Sequence, residues 1–139
     1  MEQKKILVLC TGNSCRSQIA EGYLREFTKG KAAIFSAGIE THGVNPNAVE
    51  TMKEDGIDIS TQTSNNIEEY KNINFDFIIT VCDNAKEHCP VFPSNAKMFH
   101  YNFPDPAKAI GTHSEVMAEF REVRQLIKNY VKAFVVENL

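Results

Sequence analysis

An α/β fold built on a four-stranded parallel sheet, with helices on both faces, is what this sequence predicts. Short apolar runs alternate with helical patterns along the chain. The runs are nearly continuous in apolar residues, as in strands buried on both sides. No repeat, linker or low-complexity stretch interrupts the 139 residues, so a single domain over 1–139 accounts for all of them.

The elements follow in order. Residues 5–10 (KILVLC) form an apolar run bounded by turn residues and suit the first strand. Ile19, Ala20, Tyr23, Leu24 and Phe27 then fall on one face of a helix, which Gly30 closes. Residues 32–36 (AAIFS) read as the second strand, followed by a loop with Gly38 and Gly43. Asn45-Pro46 is a cap followed by proline at the first helical position. Ala48, Val49 and Met52 give that helix its apolar side, and Gly56 ends it. Residues 60–72 are polar, with a short helix expected at 67–70. Residues 75–82 (FDFIITVC) make the strongest strand pattern in the chain, and 97–101 (KMFHY) the fourth strand. Thr112 and Glu115 form a capping box. The last helix carries an apolar stripe of Val116, Phe120, Val123, Ile127, Tyr130 and Phe134, at steps that keep it facing a core.

Composition narrows the function classes. A net charge of −3 offers no basic surface to nucleic acid or to an anionic membrane. The N-terminal MEQKKILVLCTGNS has neither a long apolar run nor a small-residue cleavage site, so no secretory leader is expected. No apolar stretch reaches the length of a bilayer span. A cytoplasmic, monomeric protein is expected. In that reducing compartment the four cysteines are buried, metal-binding or catalytic rather than structural disulfides.

The stretch CTGNSCRS at 10–17 holds the densest chemistry. A strand, a tight turn and a helix leave backbone N–H groups in the loop, at the positive end of the helix dipole. Gly12 permits an unusual backbone angle, and Asn13 tolerates the left-handed one. Ser14 and Ser17 add hydroxyls, and Arg16 can fork two donors onto a tetrahedral oxyanion. The same surroundings are expected to lower the pKa of Cys10. Ligands of open parallel sheets bind beyond the carboxyl ends of the strands. Cys10 ends the first strand and Cys82 the third, while Asp105 follows the fourth in FPDPA. These three are expected to converge. The plainer alternatives are an Asp-Pro turn at Asp105 and a small buried filler at Cys15. Zinc is disfavoured: paired zinc ligands have roughly two to four residues between them, whereas six separate Cys82 from Cys89, and Arg16 would repel a cation.

With CTGNSCRS after the first strand and Asp105-Pro106 far downstream, the chain resembles the low-molecular-weight protein tyrosine phosphatases. The spacing of Cys10, Cys15, Cys82 and Cys89, with TVCDNAKEHCPVFP around the second pair, resembles more narrowly the thioredoxin-coupled arsenate reductases built on that fold. The similarity spans essentially the whole chain. It implies Cys10 as the nucleophile toward arsenate, and the loop of Thr11, Gly12, Asn13, Ser14, Cys15, Arg16 and Ser17 as the oxyanion site. It implies Asp105 as general acid, Cys82 as the thiol that resolves the arsenic adduct, and Cys89 as the thiol that carries the disulfide outward to thioredoxin. Cys15 has no redox role in that scheme. Reducing As(V) to As(III) takes two electrons, which a dithiol supplies on becoming a disulfide; ester hydrolysis takes none. Phosphatases of this fold set rings near the Asp-Pro turn, whereas DPAKAIG has Ala107 there.

Some reductases of the family bind potassium beside the loop. Asn13, Glu21, Ser36 and Asn65 match those positions, and a weak site is expected because Asn65 stands where an acidic residue would bind more strongly. Glu21 as an ordinary helix residue is the alternative, and no other cofactor is implied. A helical 83–89 would hold the Cys82 and Cys89 Cα atoms about 10 Å apart, beyond the roughly 7 Å that a disulfide tolerates. The segment is therefore expected to unwind in turnover. Rival functions are a cysteine phosphatase and a non-enzymatic oxyanion- or metal-binding module.

Overall fold

In the computed structural model, which describes residues 3–139, four parallel strands lie in the order β2-β1-β3-β4. The strands are β1 (Lys4–Cys10), β2 (Ala32–Gly38), β3 (Phe77–Thr80) and β4 (Lys97–His100). The helices are α1 (Arg16–Thr28), α2 (Pro46–Glu54), α3 (Asp83–Glu87) and α4 (His113–Asn138). Short 3-10 turns form at Ile67–Tyr70 and Pro106–Lys108. The chain winds one way from β1 to β2 and the other way from β1 to β3 and β4. That reversal places a crevice beyond the carboxyl ends of β1 and β3, and Cys10 is the last residue of β1.

Residues paired across parallel strands share a face. Phe77 and Phe99 lie on the face where Phe134 of α4 closes an edge-to-face cluster, with ring centroids 5.5 Å and 5.0 Å from it. Phe35 points to the other face, where Tyr70 and Phe75 each sit 5.3 Å from it and Phe92 extends the cluster from Phe75. Long helices cover the first face. The second is covered by the 67–70 turn, α3 and the segment carrying Phe92. Such rings bury large areas and prefer this tilted geometry.

Three expectations shift in detail. The strand expected at 75–82 is shorter, because Phe75 turns into the ring cluster and Cys82 becomes the N-cap of α3; Val81 still donates to Leu9 O at 3.0 Å. The fourth strand stops at His100. On α4 the buried stripe holds Met117 and Val131 beside Phe120, Val123, Ile127 and Phe134. Val116 and Tyr130 flank it, Tyr130 meeting Tyr101 at a tilt and Phe103 edge-to-face, both at centroid distances of 5.6 Å. Both caps form as expected: Asn45 accepts from Asn47 N, and Thr112 and Glu115 complete a capping box. Among the described residues no helix is long and apolar enough to cross a membrane.

Gly38 ends β2 directly under the 10–17 loop. A Cβ there would stand 2.7 Å from Thr11 O and 2.8 Å from Asn13 N, both backbone atoms that cannot swing aside. Gly38→Ala is expected to destabilise the protein by about 1–3 kcal/mol and to weaken any anion bound by the loop. Denaturant midpoints and phosphate titration check this; wild-type values in both would refute the close-approach account.

Candidate active site

The loop from Cys10 to Cys15 is shaped by where its carbonyls go. Cys10 O accepts from Ile39 N, Thr11 O from Glu40 N, Gly12 O from His42 N and Ser14 O from Asn45 N, at 2.9–3.2 Å. Asn13 O accepts from Gln18 Nε2 at 3.0 Å, and Cys15 O from Ile19 N at 2.9 Å. Every carbonyl is thus engaged from outside. Among the described residues no protein acceptor takes the N–H groups of Gly12 to Arg16. Cys15 caps α1 without a side-chain bond, so the first turn of that helix also keeps its donors open. Successive unpaired N–H groups at a helix N-terminus form an anion cradle.

Asn13 takes the left-handed conformation the turn needs, at φ 49°. Gly12 does not have positive φ, contrary to expectation. Its lack of a side chain makes room for the His42 ring, which packs where a Cβ would be. The side chains of Asn13 and Ser17 are buried beneath the loop, joined by a 2.7 Å bond, and do not reach the crevice.

A cavity of about 260 Å³ opens above the loop, lined by Cys10, Thr11, Gly12, Ser14, Cys15 and Arg16, with His42, Asp105 and Ala107 at its walls. Arg16 donates to Phe103 O at 3.1 Å, and its other terminal nitrogen lies 3.6 Å from Asp105 Oδ2. Asp105 Oδ1 accepts from Ala107 N at 3.0 Å and so caps the 106–108 turn. Both readings of Asp105 hold at once: one oxygen shapes the Asp-Pro turn, and the other faces the guanidinium in the cavity. His42 is the lining residue that sequence reasoning missed, while Ala107 stands at the wall beside the Asp-Pro turn, where the sequence puts it. His42 lies far along the chain, and its one signal is the fit of its ring against Gly12.

All four cysteines are free thiols. Cys10 and Cys82 interact directly, each shifting the other. The hydrogen bond with Cys82, then burial, raise the Cys10 pKa against the pull of Arg16. The same bond to Cys10, with Thr11, the Ala85 N–H and Arg16, holds Cys82 down at about 5 despite burial. Thr11 Oγ1 lies 3.2 Å from the Cys82 sulfur and accepts from Asn84 Nδ2 at 3.0 Å, so its own proton is free to go to Cys82. The expected isolated Cys10 thiolate is therefore replaced by a Cys10–Cys82 pair that titrates together. Burial pushes Cys15 up to about 11 and raises Cys89 as well. Cys89 is half-buried, does not line the cavity, and follows α3 after His88. The four cysteines do not gather into a metal-binding group among the described residues.

Asn13, Glu21, Ser36 and Asn65 do come together. Asn65 N donates to Asn13 Oδ1 at 2.8 Å, Asn13 Nδ2 donates to Ser36 Oγ at 3.0 Å, and Ser36 donates to Glu21 Oε1. Arg25 Nε donates to Glu21 Oε2 at 2.9 Å. Asn65 Oδ1 is taken by Thr63. These oxygens are already committed and a guanidinium stands against the carboxylate, so the cluster does not fit a potassium ion.

The profile of the low molecular weight phosphotyrosine protein phosphatases matches residues 5–139. The chain belongs to this family. It is 51% identical over 134 residues to an arsenate reductase of Halalkalibacterium halodurans, covering 96% of each chain. It is 50% identical, with the same coverage, to an arsenate reductase of Bacillus subtilis (strain 168). Among solved structures, an arsenate reductase in the phosphate binding state superposes with a TM-score of 0.78 at 33% identity, over 97% of this chain and 98% of that one.

The thiol geometry predicts a count. Cys82 titrates near pH 5 while Cys10, Cys15 and Cys89 are all raised, so one thiolate per chain is expected across about pH 6–8. It should vanish as pH falls through about 5. Thiolate ultraviolet absorbance against pH measures this, and finding none or two at neutral pH overturns the coupled pair.

Proposed function

We propose that this protein reduces arsenate to arsenite through Cys10, Cys82 and Cys89, with thioredoxin as the external reductant. One observation carries the reading: a second thiol, Cys82, 3.2 Å from Thr11 Oγ1 of the loop, stands beside the thiol at the base of an anion cradle and is coupled to it. A hydrolase has no use for that neighbour, whereas a two-electron reduction needs it. The relatives named arsenate reductase support the same choice.

The steps balance. The loop N–H groups and Arg16 hold the oxyanion over Cys10. As the Cys10 sulfur attacks arsenic, its proton passes to the neighbouring Cys82, and Asp105 protonates the departing oxygen, which leaves as water. Cys82 then gives that proton up to solvent, because Thr11, the Ala85 N–H and Arg16 favour its thiolate. That thiolate attacks the Cys10 sulfur, and the sulfur–arsenic bonding pair goes to arsenic, releasing arsenite and leaving a Cys10–Cys82 disulfide. Cys89, losing its proton to solvent, then attacks Cys82, freeing Cys10 as thiolate and leaving a Cys82–Cys89 disulfide. Thioredoxin supplies the two electrons that reduce it.

The α3 segment is built for that last exchange. Only one short helix lies between Cys82 and Cys89, held by bonds such as His88 N to Asn84 O at 3.1 Å. Beyond Cys89, Phe92 is anchored against Phe75, and Ser94 donates to Phe75 O at 2.7 Å. Slack is therefore confined between Cys82 and Phe92. An aromatic ester finds no Phe, Tyr or Trp ring in the cavity wall, where Ala107 stands beside the Asp-Pro turn. A small inorganic oxyanion suits it better.

Arsenate consumption coupled to thioredoxin, its reductase and NADPH tests the reading. Wild type is expected to turn over, and Cys89→Ser to fall to background while still releasing one arsenite per chain. Asp105→Asn is expected to lower kcat by about 10²–10⁴-fold. Wild-type turnover by Cys89→Ser would sink the three-thiol relay. Backbone amides of 83–89 are expected to lose hydrogen-exchange protection on oxidation; unchanged protection there contradicts unwinding of α3.

A further inference from the structure

We infer that Arg25 is the built-in cation of the oxyanion loop: a positioning residue whose guanidinium does permanently what a bound alkali ion would do at this cluster. The inference rests on the loop being an oxyanion site, but not on arsenate chemistry.

The hydrogen-bond directions force the conclusion link by link. Asn65 N–H points at Asn13 Oδ1, so that atom is the acceptor and Nδ2 the donor. Asn13 Nδ2 donates to Ser17 Oγ at 2.7 Å and to Ser36 Oγ at 3.0 Å. With Ser36 Oγ accepting there, its own proton goes to Glu21 Oε1. Arg25 meets Glu21 Oε2 with both Nε and Nη2, at 2.9 Å and 2.8 Å. Glu21 is thus an acceptor at both oxygens, which is the role of an ionised carboxylate.

A carboxylate only 7% exposed needs a compensating charge. Arg25 is the cation that the structure places against it, and its Nη2 also donates to Ile34 O at 3.0 Å, fixing the guanidinium against β2. An exposed i,i+4 pair would add little. Here, however, the buried partner begins a chain that ends at Asn13, the left-handed residue at the turn of the loop. The positive charge is in this way transmitted to the backbone geometry that holds the anion.

Inorganic phosphate is the probe, since thiols do not reduce it. Calorimetric phosphate Kd and thermal Tm are measured in potassium chloride and in choline chloride at equal ionic strength. Wild type is expected to show the same values in both salts. Arg25→Gln is expected to bind phosphate about three- to tenfold more weakly in choline chloride, and to regain affinity and Tm in potassium chloride. Arg25→Lys should stay near wild type. Adding Glu21→Gln to Arg25→Gln should abolish the potassium response, because the charge that calls for a cation is gone. A potassium-specific gain in wild type, or undiminished phosphate binding by Arg25→Gln in choline chloride, overturns the inference. If Arg25→Gln does not fold, the wild-type comparison decides by itself. If wild type binds no phosphate, the oxyanion reading fails, while the Tm arm still tests Arg25.

Discussion

The site depends on the outward turn of six consecutive carbonyls, from Cys10 to Cys15. A backbone cannot present both of its polar groups to the same side of so tight a turn. Committing the oxygens to Ile39, Glu40, His42, Asn45, Gln18 and Ile19 is what frees the N–H groups for a ligand. Donors from beyond β2 and from α1 therefore belong to the site, although most of them never touch the cavity. Asn13 makes the turn, Gly38 lets β2 approach it, and Gly12 leaves space for His42. Each is a local sequence choice whose purpose lies in that single arrangement.

Strand order supplies the second ingredient. Because β1 and β3 are neighbours, residues far apart in the chain end side by side at their carboxyl ends. Cys10 and Cys82 come from those two ends. Their proximity changes the electrostatics from that of an isolated nucleophile to that of a coupled pair. Thr11 links the pair to α3 through Asn84, so the loop and α3 share a hydrogen bond.

Much of the fold was legible in the sequence. The apolar runs located all four strands, and the Asn45-Pro46 and Thr112–Glu115 signals located two helix starts. Boundaries moved where tertiary packing intervened: Phe75 left its strand for a ring cluster, and Val131 took the buried place expected of Tyr130, whose hydroxyl-bearing ring prefers the edge. Of the three residues that topology groups, Cys10 and Asp105 line one cavity and Cys82 stands beside Cys10. The Cys10 thiolate was misjudged because an electropositive loop was weighed without its neighbouring thiol. His42 and the Arg25–Glu21 pair were invisible for a different reason. Their importance lies in a contact with a missing side chain and in the direction of a hydrogen-bond chain, and neither leaves a pattern along the sequence.

The cradle made by those inward donors reads a tetrahedral shape and a negative charge, and little else. Phosphate and arsenate look alike to it, and in a cell phosphate is the commoner of the two. A small cavity with Ala107 and His42 at its walls has no feature that distinguishes one central atom from the other. On the proposed reading, discrimination is postponed from recognition to chemistry. Either anion can sit in the loop, but only arsenic accepts the electron pair when Cys82 attacks Cys10. Phosphate is then a reversible occupant, and the neighbouring thiol, rather than the pocket, acts as the selectivity filter.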